Sequence, residues 1–252
     1  MLRDRLKPEY AVAIVYVAAM FMSILDTTVV TVALPTLSAQ FKVGTASIDW
    51  VVTGYLLSLA VWIPASGWIG DRVGTKRTFL FAIGVFTAAS ALCGLATSLN
   101  ELIAFRVLQG VGGGMLTPVG FAMLMRAFPP ERRAAAAKIL LIPTAAAPAM
   151  GPIIGGLLVD SLSWRWVFYV NLPLGIAAFI FGLIFLVEHR EPRSGGFDVA
   201  GFVLSGAGLA LILYALSEGP VHGWGSAAVV VAGGCGIGAF ALLVVVELRS
   251  SA

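Results

Sequence analysis

Two charged side chains stand where charge is expensive. Asp26 lies in the apolar run from Tyr10 to Leu34, and Arg106 in another from Leu102 to Met125. A carboxyl near the middle of a membrane helix costs about 2.5–3.5 kcal/mol on insertion scales, so it faces protein or water and takes a partner. The chemistry open to such a pair is proton binding. Burial disfavours the carboxylate and a neighbouring cation favours it, so together they bring protonation within reach. Helix rise puts Asp26 about 14 Å in from Pro35 and Arg106 roughly 8–9 Å in from Asn100-Glu101. The two depths are comparable, and Gln109 follows Arg106 on the same face. Depth follows from this count but rotation does not. Direct contact and a water bridge both stay open. So do a structural Asp that caps a kink and an Arg that snorkels to the surface.

These residues need apolar helices to hold them. The chain has 252 residues, 59% hydrophobic and 12% charged, with a mean hydropathy of +0.97. Soluble domains carry about 25% charged residues, so this is an integral membrane protein. Eight stretches reach the roughly 20 apolar residues a span requires: 10–34, 48–69, 78–98, 102–125, 135–159, 166–187, 199–216 and 227–246. No stretch shows the ten-residue alternation of an outer-membrane barrel. The first run is too long for a secretory signal core of about 7–15 residues. No basic cluster interleaved with aromatics suits nucleic acid. The spacing of Cys93 and Cys235 suits no metal, and both are expected to be buried free thiols. Nor is there a Ser/His or paired-Asp spacing for catalysis, so a non-enzyme without cofactor is expected. His189 and His222 fall in loops.

Lysine and arginine set the orientation. Thirteen of sixteen gather on one side, at the N-terminus (Arg3, Arg5, Lys7), in the second, fourth and sixth loops, and at Arg249. Lys42 and Arg165 lie on the other, and Arg106 is within a helix. Both termini are therefore expected in the cytoplasm, with the chain in the inner (plasma) membrane. The polar stretch from Glu188 to Asp198 marks the expected boundary between a six-helix bundle, residues 1–190, and a following pair, 191–252.

Three further stretches stand out. The second loop runs Gly67-Trp68-Ile69-Gly70-Asp71-Arg72-Val73-Gly74-Thr75-Lys76-Arg77. Its basic residues can anchor at anionic headgroups. Asp71 can cap the third helix or face another helix N-terminus, and Gly74 permits a tight turn. The segment Ala147 to Gly156 holds two prolines and three glycines inside an apolar span, which makes a kinked helix with a flat face. That face serves either ordinary close packing or contact with a moving partner. Thr27, Thr31, Tyr55 and Trp62 are candidates to line a substrate cavity, although Tyr55 and Trp62 fit lipid contact equally well.

Five motifs in register give the chain a resemblance to the major facilitator superfamily, in its 14-helix drug:proton antiporter branch. Leu25-Asp26-Thr27-Thr28-Val29 through Ala33-Leu34-Pro35 resembles the first-helix motif, with Thr31 where the family usually has Asn. Gly67 to Arg77 resembles the loop signature, with Thr75 at a usual Arg. Arg106-Val107-Leu108-Gln109-Gly110 resembles the helix-four motif. Gly151-Pro152-Ile153-Ile154-Gly155-Gly156 resembles the helix-five antiporter motif, with Ala147 at a usual Gly. Trp164 to Phe168 with Asn171-Leu172-Pro173 and Gly175 is similar to the branch at helix six.

The resemblance implies an all-α polytopic fold and proton-coupled export of hydrophobic or amphipathic small molecules. Asp26, Arg106 and Gln109 would couple protons. Gly67, Asp71, Arg72, Gly74 and Arg77 would form a gating loop. Gly151, Pro152, Gly155 and Gly156 would press on a helix of the second half. The family has two six-helix halves, this branch inserts two helices between them, and eight helices match only the first half plus that pair. Hence a second expectation stands beside the first: a truncated or partner-dependent membrane module without transport alone. The implied partners are small-molecule substrate, protons and lipid, with a second half or another copy left open. The flat face of helix five is expected to be uncovered, or covered by helix seven, helix eight or another copy.

Overall fold

The computed structural model describes residues 7–190 and 197–250. Arg3, Arg5 and Arg193 lie outside the described residues, as do the Arg249 side chain and residues 191–196 of the expected domain boundary. Among the described residues eight helices are long and apolar enough to cross a membrane. Their main segments are α1 (Pro8–Phe41), α2 (Trp50–Val73), α3 (Thr75–Leu95), α4 (Leu99–Ala127), α5 (Leu141–Ser161), α6 (Asn171–Phe185), α7 (Val199–His222) and α8 (Ala227–Ser250), the second, fifth and sixth spans also taking in the short helices before α2, α5 and α6. Single turns at Thr45–Ile48 and Trp166–Tyr169 precede α2 and α6, and short helices at Pro130–Arg132 and Arg133–Ile139 lead into α5.

α1 runs past Pro35, where the apolar count had ended it. Proline removes one donor and frees the carbonyl four residues back. Thr31 and Pro35 both lie on an exposed face of α1. The helix stops at Lys42, whose φ of 57° is left-handed.

Small residues set how closely the helices approach, as expected where lipid removes most of the hydrophobic drive between them. A Cβ at Gly110 or Gly114 would come within 2.6 Å of the Tyr55 and Leu59 carbonyls of α2. One at Gly112 would come equally close to the Ala82 carbonyl of α3. The glycine run of α4 is thus wedged between two neighbours. α6 lies beside α1 and α3, with Gly175 against Thr87. α7 and α8 form a hairpin, joined where Gly236 meets Ile212. That hairpin docks on α2, through Trp62 against Phe202, Trp50 against Tyr214 and the Thr53–Ser217 hydroxyl pair at 3.1 Å.

The expectation for α5 needs correction. Its glycine face is covered, and by α1: Gly151 sits against Thr28, and Gly155 against Val29 and Val32. Helix seven and helix eight do not cover it; helix seven packs on α2 and helix eight on helix seven. The reason is a two-sided helix. The glycines take the side toward α1, where only they leave room, while Pro148, Pro152 and Ile153 lie exposed on the other side. Gly156 has open space around it. The expectation for the thiols also divides. Cys93 is buried, but Cys235 is exposed on α8.

Two buried apolar clusters fill the bundle. One gathers Tyr16, Met22, Phe79 and Phe86, and the other Leu25, Val29, Leu102 and Phe168. The charged residues lie where these two meet.

Candidate functional site

Asp26 and Arg106 are both 0% exposed, and they touch. Arg106 Nη1 donates to Asp26 Oδ2 at 2.6 Å. The same nitrogen donates to Gln109 Oε1 at 2.7 Å, and Gln109 Nε2 donates to Asp26 Oδ1 at 3.0 Å. Residues three apart share a helix face, so one turn of α4 presents both a cation and an amide to α1. Arg106 Nε donates to the Val51 carbonyl of α2 at 3.0 Å, and the guanidinium lies over the Tyr55 ring, 4.2 Å from its centroid. Arg106 Nη2 has no hydrogen-bond partner. A pair at this depth is held by geometry and extra hydrogen bonds, because desolvation offsets much of its Coulombic gain.

A fourth member was not foreseen as part of this cluster. Asn171, at the start of α6 and 1% exposed, donates through Nδ2 to Asp26 Oδ1 at 2.8 Å and to Ser90 Oγ at 3.1 Å. Ser90 in turn donates to the Phe168 carbonyl at 2.9 Å. The carboxylate therefore receives donors from α4 and α6. A signal for Asn171 was present in the sequence: a polar amide about five residues into the sixth apolar run, level with Arg106 by helix rise.

The other candidates divide. Tyr55 belongs to the cluster, sharing a hydrogen bond with Ser23 at 3.2 Å. Trp62, seven residues on, is half-buried against Phe202 instead. Thr27 is half-buried and Thr31 exposed, each donating its hydroxyl to the carbonyl one turn back, at 3.2 and 2.8 Å. Threonine satisfied this way leaves its oxygen free to accept.

At the other end of the bundle the loop residues are distributed differently from expectation. Asp71 caps no helix: it pairs with Arg126 of α4 at 2.9 Å. It lies in the last turn of α2, where the helix dipole opposes a negative charge, and the cation opposite offsets that. The carboxylate at the start of α3 is Glu188, which follows α6 and accepts from the Lys76 and Arg77 amides at 3.0 and 3.3 Å. Arg77 also approaches it at 3.6 Å. Thr75 donates its amide to the His189 carbonyl at 2.9 Å, and Arg190 Nε donates to the Val73 carbonyl at 2.8 Å. Gly74 joins α2 to α3 at φ 113°, a left-handed value that favours glycine. A Cβ there would strike Glu188. Gly67 and Arg72 are exposed. Gly151 and Gly155 of α5 meet α1 at Thr28, Val29 and Val32, just C-terminal to Asp26.

Eight apolar helices with a buried, hydrogen-bonded ion pair at the junction of α1, α4 and α6 define a multi-pass membrane protein. The family model of the Major Facilitator Superfamily matches residues 16–251, and the chain belongs to that family. Relatives include a multidrug resistance protein B homolog of Mycobacterium tuberculosis, 44% identical over 209 residues, which covers 83% of this chain and 39% of the relative. The chain spans less than half the length of the curated relatives it matches. The crystal structure of the human organic anion transporter MFSD10 superposes with a TM-score of 0.65 at 16% identity, covering 85% of this chain and 57% of that one. A bacterial homolog of the human lysosomal transporter Spinster gives 0.59 at 20% identity, over 89% and 58% of the two chains. These likenesses establish the fold.

Proposed function

We propose that this chain is the N-terminal part of a proton-coupled exporter of hydrophobic or amphipathic small molecules. The observation that carries the reading is the buried Asp26–Arg106 pair, shared among helices that must move relative to a second half. Its location is the inner (plasma) membrane, with both termini in the cytoplasm, as the arginine and lysine asymmetry favours. A proton reaching Asp26 from outside neutralises the carboxylate and loosens its hold on Gln109, Arg106 and Asn171. Arg106 remains charged at any attainable pH. The pair is thus a two-state element whose contacts depend on proton occupancy, as alternating access by rocking halves requires. Thr27 and Thr31 lie on the accessible side of α1 toward a shared substrate cavity. The multidrug names of the relatives support the substrate class.

The test is efflux of a lipophilic cation, ethidium, from vesicles that carry the assembled transporter. An imposed pH gradient should drive it in the unaltered protein and not in Asp26→Asn. Equal gradient-driven efflux in the variant would defeat the role given to Asp26.

A second reading, a membrane module inactive without a partner, is favoured by one observation. Pro148, Pro152 and Ile153 present an uncovered apolar strip on α5. Copurification with six further helices would favour it; ethidium transport by these 252 residues alone would exclude it.

A further inference from the structure

We propose that Asn171 is the positioning residue through which α6 holds Asp26 in its carboxylate form, so that proton occupancy is transmitted to α6 and α3 as well as to α4. The proposal rests on the proton-coupling reading given above and extends it to a residue on a different helix.

Three observations carry it. Both N–H groups of the Asn171 amide are engaged, one on Asp26 Oδ1 at 2.8 Å and one on Ser90 Oγ at 3.1 Å. The other end of the same amide, Oδ1, is buried without a hydrogen-bond partner. A buried carbonyl left in that state is costly, and an asparagine serving only to join α6 to α3 would be set to satisfy both ends. The amide is turned so that its donor faces the carboxylate. The opposite orientation would set a carbonyl oxygen against a charged one. Its position is fixed in turn by Ser90, which donates to the Phe168 carbonyl of the turn preceding α6.

The charged and titratable groups facing Asp26 are Arg106 of α4, Tyr55 of α2 and Cys93 of α3. α5 carries only Asp160, near its far end, and α6 carries none. Asn171 is thus a neutral donor to the carboxylate from outside α4. When a solvent proton binds Asp26 Oδ1, no covalent bond other than the new O–H changes. The contact that fixed the amide's orientation is weakened, and with it the polar tie from α6 to α1.

The experiment is an infrared pH titration of the full 252-residue chain in lipid nanodiscs. The protonated-carboxyl band of Asp26 is isolated as the difference between the unaltered chain and Asp26→Asn. Asn171→Leu, similar in volume and without a donor, should move the titration midpoint upward by about one pH unit, a tenfold change in proton affinity. Asn171→Gln, which keeps a donor, should move it less. Ser90→Ala, which frees the amide without touching Asp26, should move it in the same direction by a smaller amount and guards against a misfolded Asn171 variant. A titrating Asp26 band whose midpoint is unmoved in all three variants overturns the role of Asn171 and leaves proton coupling standing. Absence of any Asp26-dependent band over the whole pH range overturns both.

Discussion

Arg106 Nη1 lies 2.6 Å from Asp26 Oδ2, and neither side chain is exposed. The two partners differ in how they tolerate separation. A carboxylate left alone can take up a proton, whereas guanidinium cannot shed one. Asp26→Ala therefore strands a charge and should cost about 3–5 kcal/mol. Arg106→Ala should cost less, and the gap between the two should widen as pH falls, because protonation then relieves the lone carboxyl. Thermal unfolding in detergent at several pH values measures this. Equal losses at every pH would mean that Asp26 and Arg106 are not buried against one another.

Glycines of α4 and α5 should respond unequally to a single methyl. Gly112→Ala places its Cβ 2.6 Å from the Ala82 carbonyl and 2.7 Å from the Phe86 amide, both backbone. Overpacking of this kind costs about 1–3 kcal/mol. Gly156→Ala meets nothing within 4 Å and should stay within about 0.5 kcal/mol of the unaltered chain. The comparison of their unfolding midpoints separates wedged from open positions.

Glu188 closes the start of α3 from across the bundle. Glu188→Ala should destabilise by about 0.3–1 kcal/mol, the usual scale for a carboxylate at a helix N-terminus, and added salt should shrink the effect. Protease cleavage after Lys76 or Arg77 should rise as the turn loosens. Unchanged cleavage would show that the Thr75–His189 and Arg190–Val73 bonds hold the turn without it.

The Asp71–Arg126 pair is more than a third exposed on both sides. Exposed pairs contribute about 0–1 kcal/mol, so Asp71→Asn should barely change stability. A large loss of ethidium efflux in that variant, with its melting unchanged, would assign the loop to gating. A parallel loss of both would assign it to folding.

Much of this was legible in the sequence, and most of the remainder was missed for one physical reason. Run length and helix rise locate a residue along the membrane normal, which is how the sequence alone places Asp26 and Arg106 at comparable depth. They do not say which way a side chain points around its helix. In a soluble protein the polar face supplies that angle. Here both faces of α5 and α6 are apolar, so nothing in the pattern turns Gly151 toward Thr28 or Asn171 toward Asp26. The same gap made Asp71, adjacent in sequence, a candidate to cap α3 or face another helix N-terminus, when Glu188 arrives from more than a hundred residues away. Pro35 marks an end by the rule for helices in water, yet membrane helices tolerate proline in their interior, and α1 continues through it to Phe41.

The central claim is that proton occupancy of Asp26, and not substrate binding by it, drives transport. Measuring ethidium counterflow and gradient-driven accumulation side by side, in vesicles with the assembled transporter, tests it most directly. The account predicts that Asp26→Asn keeps counterflow, since Asn can still accept from Arg106, and loses the response to a pH gradient. Accumulation against the ethidium gradient at the unaltered rate in that variant would contradict it.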